Sequence, residues 1–275
     1  MQHAPAARPL LAAALSAALA LTAAACAAGG READRPAGTA PPTARSPAAL
    51  PSPALPPVLT RGQARAALIT EADLGEAWEP TRGAATWRDE VLKATAEGSD
   101  CRRLLDVLYT EDLFGAATAP RATAALDDAD GGAQLHYRVT SSRAGDIDAT
   151  LAWLGTLPDT CGRFEARATR GTTRDVRVTG VTLPEAGDAR QGLRVTVSGA
   201  AAGSGDAWDA DGSGDSGNSG DTVLTVDLVA VRVGDDAISL TNGTLGEAAD
   251  DATRAAVEVG TRRLTEVRRQ GRAQV

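Results

Sequence analysis

The sequence predicts an α+β fold, in which an antiparallel β-sheet packs against helices, for a single globular domain over residues 59–270. Three observations predict this fold class. Short apolar stretches with turn residues between them dominate the second half of the chain. Stretches with helical spacing of apolar residues lie before, within and after them. The predicted order is helices, a hairpin, one helix and then several consecutive strands. Strands that follow one another with no helix between them are typical of an antiparallel sheet.

Helices are predicted where a capping residue precedes apolar residues spaced three or four apart. The predicted starts are Thr60 with Gln63, Thr70, Ser99, Asp146 and about Glu247. The helix after Asp146 is expected to end at Pro158, because proline lacks the N–H that a helix interior uses. In the last helix, the small residues Ala252, Ala256 and Gly260 would allow a close approach to the sheet.

Strands are predicted for a hairpin and for four later segments. The hairpin joins residues 122–126 and 133–140 around 127–132, and the later strands cover 176–183, 193–198, 223–233 and 237–241. The run from Val229 to Val233 is apolar on both faces, as expected for a central strand. Asn242-Gly243-Thr244 matches a glycosylation acceptor, but we interpret it as a turn.

The N-terminal segment predicts an exported, lipid-anchored protein. Arg8 precedes an uncharged apolar run over residues 10–25, which as a helix would span about 24 Å. This is shorter than the roughly 30 Å hydrocarbon core of a bilayer, so residues 1–25 are predicted to be a signal peptide. The ending Leu21-Thr22-Ala23-Ala24-Ala25-Cys26 resembles the lipobox of bacterial lipoproteins, which predicts lipid on Cys26 at the outer face of the cell membrane. An ordinary secretory signal with a chance cysteine is the alternative.

Two segments are predicted to be disordered. Residues 26–58 contain eight of the 14 prolines and no apolar periodicity, which is typical of an extended tether. Residues 199–221 are rich in Gly, Ser and Asp and are interpreted as an insertion between strands. The acidic residues from Asp209 to Asp215 echo half of a calcium-binding EF-hand loop, but Gly220 stands where a bidentate Glu is required.

Cys101 and Cys161 are predicted to form a disulfide, because two remaining thiols in an exported domain usually pair. Closing a loop of 60 residues would contribute about 4 kcal/mol to stability.

The sequence predicts no enzyme, no cofactor and no metal site. Gly214-Asp215-Ser216-Gly217 matches the nucleophile motif of trypsin-like proteases, but that chemistry also needs a histidine base. The chain has two histidines, and His136 alone follows the signal peptide. A net charge of −8 argues against a nucleic-acid partner. The C-terminal helix is predicted to end in solvent with a cluster of arginines that complements the helix dipole. The cluster consists of Arg262, Arg263, Arg268, Arg269 and Arg272. Contact of these arginines with anionic lipid or wall polymer is the alternative.

Several segments together resemble the PknH-type extracellular sensor domain, a family found on receptor serine/threonine kinases and on stand-alone actinobacterial lipoproteins. They are Leu-Ile-Thr-Glu-Ala-Asp-Leu-Gly-Glu-Ala-Trp at 68–78, Cys101 before a Leu-rich helix, Leu-Pro-Asp-Thr-Cys at 157–161, and Val-Arg-Val-Gly-Asp-Asp-Ala-Ile-Ser-Leu at 231–240. The resemblance covers residues 60–268 and implies an antiparallel sheet flanked by helices around a ligand-binding cleft. The chain departs from the kinase sensors by its single cysteine pair, its Gly/Asp-rich insertion and its lack of a kinase domain, so direct kinase signalling is not expected.

The leading hypothesis is therefore a non-catalytic, lipid-anchored, sensor-like module of the cell envelope that binds a small molecule or another envelope ligand. Candidate ligand-binding residues are Gln134, His136 and Arg138, which alternate with apolar residues and would contact an anionic or sugar-like ligand. Simple exposure of these three side chains to water is the alternative interpretation. A structural or accessory lipoprotein with a protein partner is the second hypothesis, and a hydrolase that uses carboxylates is the third.

Overall fold

The computed structural model describes residues 59–83, 91–115, 122–169, 171–199 and 222–273. The helices are α1 (Arg61–Ala66), α2 (Ser99–Thr110), α3 (Ala144–Thr160) and α4 (Asp250–Ala273). The strands are β1 (Trp78–Pro80), β2 (Ala94–Thr95), β3 (Ala122–Asp128), β4 (Gln134–Ser141), β5 (Arg163–Ala168), β6 (Thr173–Gly180), β7 (Ala189–Gly199), β8 (Thr222–Val233) and β9 (Asp236–Leu245).

These strands form one antiparallel sheet in the order β1-β3-β4-β9-β8-β7-β6-β5-β2. The predicted fold class is therefore confirmed. β8 is the fifth of the nine strands, which confirms that the doubly apolar run from Val229 to Val233 is central. Its odd-numbered and even-numbered residues pack in two different cores, one on each face of the sheet.

Helices α1 and α4 pack on one face of the sheet. α4 contacts β8 and β9, and α1 contacts β3 and α4. The core on this face contains buried residues of β4, β8, β9 and α4, among them Tyr137, Val229, Val231, Ile238, Leu240, Ala256, Val257 and Leu264.

Helices α2 and α3 pack on the opposite face. α3 contacts β6, β7 and β8, and α2 packs against α3. The core here contains residues such as Leu104, Leu105, Leu108, Ile147, Leu154, Leu193, Val195 and Leu224. On this face, α3 covers strands β6 to β8 and leaves β3, β4 and β9 uncovered. The end of α2 lies against these three strands, and the site described below is the space between them.

The close approach of α4 to the sheet is confirmed at Gly260. A Cβ atom at this position would lie 2.8 Å from two ring atoms of Tyr137, which is closer than real carbon contacts allow. Tyr137 is 1% exposed, and burial raises the pKa of its hydroxyl. Gly260 therefore provides the space that the buried ring occupies.

The C-terminal arginines are less solvated than predicted. Arg263 pairs with Asp73 at 2.7 Å and donates to the carbonyl oxygen of Leu68 at 2.6 Å. Arg268 pairs with Asp236, which is 1% exposed and also accepts a hydrogen bond from Ser141. Burial raises the pKa of Asp236 in spite of these two contacts. Two of the five arginines thus hold α4 in place, while Arg262, Arg269 and Arg272 are exposed as expected.

Several local predictions were wrong. Pro158 lies inside α3, because the final turn is held in the core by buried Leu157 and Cys161. The predicted helix at Thr70 is a single 3-10 turn, Glu71–Asp73, and Trp78 begins β1. The caps of α2 and α3 are Gly98 and Arg143, not Ser99 and Asp146, and α4 begins and ends three residues later than predicted.

Asn242-Gly243-Thr244 is part of β9 and not a turn. Asn242 is 4% exposed, and its amide donates to the carbonyl oxygen of Ala249 and to the hydroxyl of Thr253, both at 3.1 Å. These contacts at the start of α4 engage the amide nitrogen of a side chain that would otherwise favour a turn, whereas the amide oxygen is buried without a hydrogen-bond partner in the described residues.

Candidate functional site

The candidate site is a cavity of about 160 Å³ between the end of α2 and the sheet. Val107, Glu111 and Leu113 form its wall on the α2 side. Its floor is the face of the sheet that α3 leaves uncovered, and the side chains there include Thr123, Ala125, His136, Arg138, Ser239 and Thr241. The site thus combines a wall of two apolar side chains and one carboxylate with a largely polar floor.

The predicted residues Gln134, His136 and Arg138 do lie on one face of β4, as their alternation requires. His136 and Arg138 line the cavity, with side chains 23% and 20% exposed. Gln134 is 6% exposed and reaches the site through its contact with His136. Each of the three side chains also contacts a polar group of the protein, and their role in binding a ligand stays a prediction.

A chain of polar contacts connects the residue after β1 to the residue after α2 through His136. The hydroxyl of Thr81 and the amide Nε2 of Gln134 both donate to Oδ1 of Asp127, at 2.7 and 2.8 Å. Because a carboxylate oxygen only accepts, this contact orients the amide of Gln134 and turns its Oε1 toward Nε2 of His136, 2.9 Å away. Nδ1 of His136 lies 3.1 Å from Oε1 of Glu111. Both ring nitrogens are therefore engaged by the protein.

Arg138 forms an ion pair with Asp112, the residue that follows Glu111. Its Nη1 lies 3.2 Å from Oδ1 of Asp112. Two consecutive carboxylates, Glu111 and Asp112, thus contact two alternate residues of β4, His136 and Arg138. Asp112, which lies beside the cavity, therefore balances the positive charge of Arg138.

Glu111 has an unusual backbone conformation. Its φ is 57°, and it is the one non-glycine residue with positive φ in the described ranges. The left-handed conformation costs a residue with a Cβ roughly 1–2 kcal/mol, and glycine is the common choice after a helix. Sequence reasoning missed Glu111 and Asp112, and the available signal was weak: the Leu-rich helix ends in Thr-Glu-Asp with no glycine.

The disulfide prediction is confirmed. Cys101 and Cys161 are bonded, with their Cα atoms 5.5 Å apart, and both residues are buried. The bond joins the first turn of α2 to the residue after α3. It fixes one end of the helix whose other end forms the wall of the cavity.

Some predicted features fall outside the described residues. They are the signal peptide at 1–25, Cys26, the tether at 26–58 and the insertion from residue 200 to 221, including the protease-like and EF-hand-like motifs. Gly199, which was assigned to the insertion, is the last residue of β7. In the part of the chain that the structure describes, no three His, Cys, Asp or Glu side chains are grouped as metal ligands would be. None of the helices in these ranges is long and apolar enough to span a bilayer.

Fold and cavity together define an α+β domain with a single broad sheet and a polar cleft at the end of α2. No protein-family model matches the sequence, and no curated protein matches it. Among solved structures, the domain is similar to the crystal structure of the extracellular domain of PknH from Mycobacterium tuberculosis. The two are 9% identical with a TM-score of 0.44, over 78% of this chain and 99% of that one. A similarity at this level does not establish family membership, so the resemblance drawn from the sequence stays a prediction.

Proposed function

We propose that this chain is a lipid-anchored, extracytoplasmic binding module that takes a small, uncharged, hydroxyl-rich group, such as a sugar ring, in the cavity at the end of α2 and does not turn it over. The observation that carries the proposal is that His136 and Arg138, on the polar floor of the cavity, are paired with Glu111 in its wall and with Asp112 beside it.

The size of the cavity limits the ligand to one ring-sized group. Its volume of about 160 Å³ is near that of an engineered cavity of about 150 Å³ that binds benzene. Pockets for drug-sized molecules are larger, at roughly 300–1,000 Å³. A single ring or the end of a longer chain is therefore the matching occupant.

The lining favours a hydroxylated group over an anion. Because Arg138 is already paired with Asp112, an incoming anion would have to displace a carboxylate. Ser239 and Thr241 on the floor carry hydroxyls that both donate and accept. Val107 and Leu113 on the wall suit the C–H face of a sugar ring.

Two observations favour this proposal over the alternatives. A hydrolase that uses carboxylates needs two carboxyl groups facing each other across the substrate, whereas Glu111 and Asp112 are consecutive residues that contact His136 and Arg138. A protein-docking lipoprotein would expose an apolar patch. Over the described ranges, Leu245 is the single large hydrophobic residue that is exposed.

The cavity is tested by ligand-observed NMR of the soluble Cys26→Ala protein with glucose, galactose, mannose and arabinose. We expect one or more to bind, and His136→Ala and Arg138→Ala to weaken that binding by about tenfold or more, because a hydrogen bond to a charged group is worth about 1.5–3 kcal/mol. Arg177→Ala is the matched control, since Arg177 is exposed on the opposite face of β6. Silence of all four sugars, or their chemical conversion, would contradict the proposal.

The anchor is tested separately by Cys26→Ala. This change should move the protein from the membrane fraction to the soluble fraction, because acyl chains on Cys26 would be the membrane attachment. Ala28→Ser is the control, since it leaves the lipobox intact. Retention of the Cys26→Ala protein in membranes after cleavage of its signal would rule out the lipid anchor.

A further inference from the structure

A second cavity, of about 290 Å³, lies between α2 and α3. It shares Val107 and Leu113 with the cavity described above, and Phe114 and Thr150 also line it. Its volume is close to the roughly 300 Å³ at which pockets for small molecules begin. It therefore suits a small molecule rather than a polymer.

The guanidinium group of Arg103 is held in place at this cavity. Its Cζ lies 3.7 Å from the centre of the Trp153 ring, a distance at which a cation is attracted to the face of the ring. The indole N–H of Trp153 donates to Oδ1 of Asp100 at 3.2 Å, and the ring packs against the core between α2 and α3. A guanidinium stacked in this way keeps its N–H donors at the edge of its plane. It is therefore preorganised to bind a carboxylate with two hydrogen bonds.

Asp106 places a carboxylate one turn of α2 away from Arg103. Both side chains line the cavity, and both residues are exposed. Residues three apart on a helix are neighbours, yet within the described ranges these two charged groups pair neither with each other nor with another ionised side chain. Asp112, the other charged residue of the lining, is paired with Arg138. The cavity thus offers one positive and one negative charge to a ligand.

We propose that this cavity binds a free α-amino acid, with the carboxylate of the ligand on Arg103 and its ammonium group on Asp106. The Cβ atoms of two such helix neighbours are about 5–6 Å apart. An α-amino acid carries its two charged groups on one carbon atom, which fits this short separation. The inference goes beyond the proposed function and does not depend on it, because it concerns a different cavity.

The rest of the lining suits the side chain of the ligand. Val107, Leu113 and Phe114 provide apolar contacts, and Thr110 and Thr150 provide hydroxyls. A molecule with a single charge is disfavoured, because an anion would meet a carboxylate and a cation would meet a guanidinium at the same site.

The class of ligand is tested by calorimetry of the soluble Cys26→Ala protein with alanine, leucine and phenylalanine, each as both enantiomers. We expect at least one of them to bind. Its N-acetyl derivative lacks the ammonium charge and its methyl ester lacks the carboxylate, so each should bind about tenfold or more weakly. γ-Aminobutyrate, whose charges are further apart, should also bind weakly. Failure of all the amino acids to bind, or equal binding of the derivatives, would overturn the inference.

The two residues are tested by Arg103→Gln and Asp106→Asn. Each change should weaken the binding of the amino acid by about tenfold or more, and the melting temperature should stay within about 3 °C because both side chains are exposed. Arg167→Gln and Asp175→Asn are the matched controls, since both residues are exposed on the face of the sheet away from α2 and α3. Wild-type affinity in either cavity variant would show that the proposed contact is wrong.

The orientation of the ligand is tested by combining variants with derivatives, at concentrations high enough to detect weak binding by NMR. Asp106→Asn should bind the N-acetyl derivative as the wild type does, because the charge that Asp106 contacts is already absent. Arg103→Gln should bind the methyl ester as the wild type does, for the same reason. The opposite pattern would contradict the assignment of the two charges.

Discussion

Replacing Cys101 and Cys161 together by serine is expected to lower the free energy of unfolding by about 4 kcal/mol, because the unfolded chain regains the freedom of a loop of 60 residues. Both sulfur atoms lie in the core between α2 and α3, so the serine hydroxyls would also have to be buried. Chemical denaturation of the oxidised wild type and of the double variant measures the difference.

Reduced wild-type protein is the control, since it lacks the bond but keeps the volume of the sulfur atoms. It should be at least as stable as the double variant, because it does not have to bury two serine hydroxyls. If the free energies of unfolding of the oxidised and the reduced protein differ by less than about 1 kcal/mol, the disulfide does little to restrict the unfolded chain. Because the bond fixes the start of α2, we also expect its loss to broaden the NMR signals of His136 in β4, which contacts Glu111 just after the other end of that helix.

Gly260→Ala is expected to destabilise the domain by about 2 kcal/mol. The new methyl group would meet the ring of Tyr137 at 2.8 Å, and overpacking of this kind costs about 1–3 kcal/mol. Neither partner has room to move, because Tyr137 is 1% exposed and α4 packs on the central strands. The intrinsic helix preference of alanine opposes this loss by up to about 1 kcal/mol.

Gly145→Ala in α3 is the matched control. A Cβ at Gly145 meets nothing within 4 Å, so the same substitution should raise stability by about 0.5–1 kcal/mol. Combining Gly260→Ala with Tyr137→Phe should recover part of the loss, because the hydroxyl is the nearest atom to the new methyl group. Equal effects of the two alanine substitutions would contradict the close approach of α4.

The sequence was most informative where one face of an element is buried. The alternation in β4 predicted which of its faces is buried, and the doubly apolar run in β8 predicted its central place in the sheet. Prediction failed where a tertiary contact overrides a local preference: Asn242 stays in β9, where its amide contacts Thr253 in α4 and Ala249 just before it. The strand Arg163–Ala168 was missed because two of its three inward positions are alanines, which give a weak alternation signal.

The residues of the candidate site on β4 were predictable from the sequence, and those after α2 were not. Three residues of one strand share a face by geometry alone, so Gln134, His136 and Arg138 were found together. Glu111 and Asp112 belong to another element, and their contacts with β4 depend on how α2 packs across the sheet. No local pattern in a single sequence contains that information.

The strand order has a consequence for the kinetics of folding. β3 and β4 form a hairpin, and β5 to β9 form a meander of chain neighbours, so both can assemble from local segments. They are joined by the pairing of β4 with β9, where Ser141 and Asp236 meet across 95 residues. Contacts between such distant segments form slowly. In a chain that crosses a membrane N-terminus first, the hairpin would emerge long before β9, and the unpaired edge of β4 would be open to aggregation until the last strand arrives.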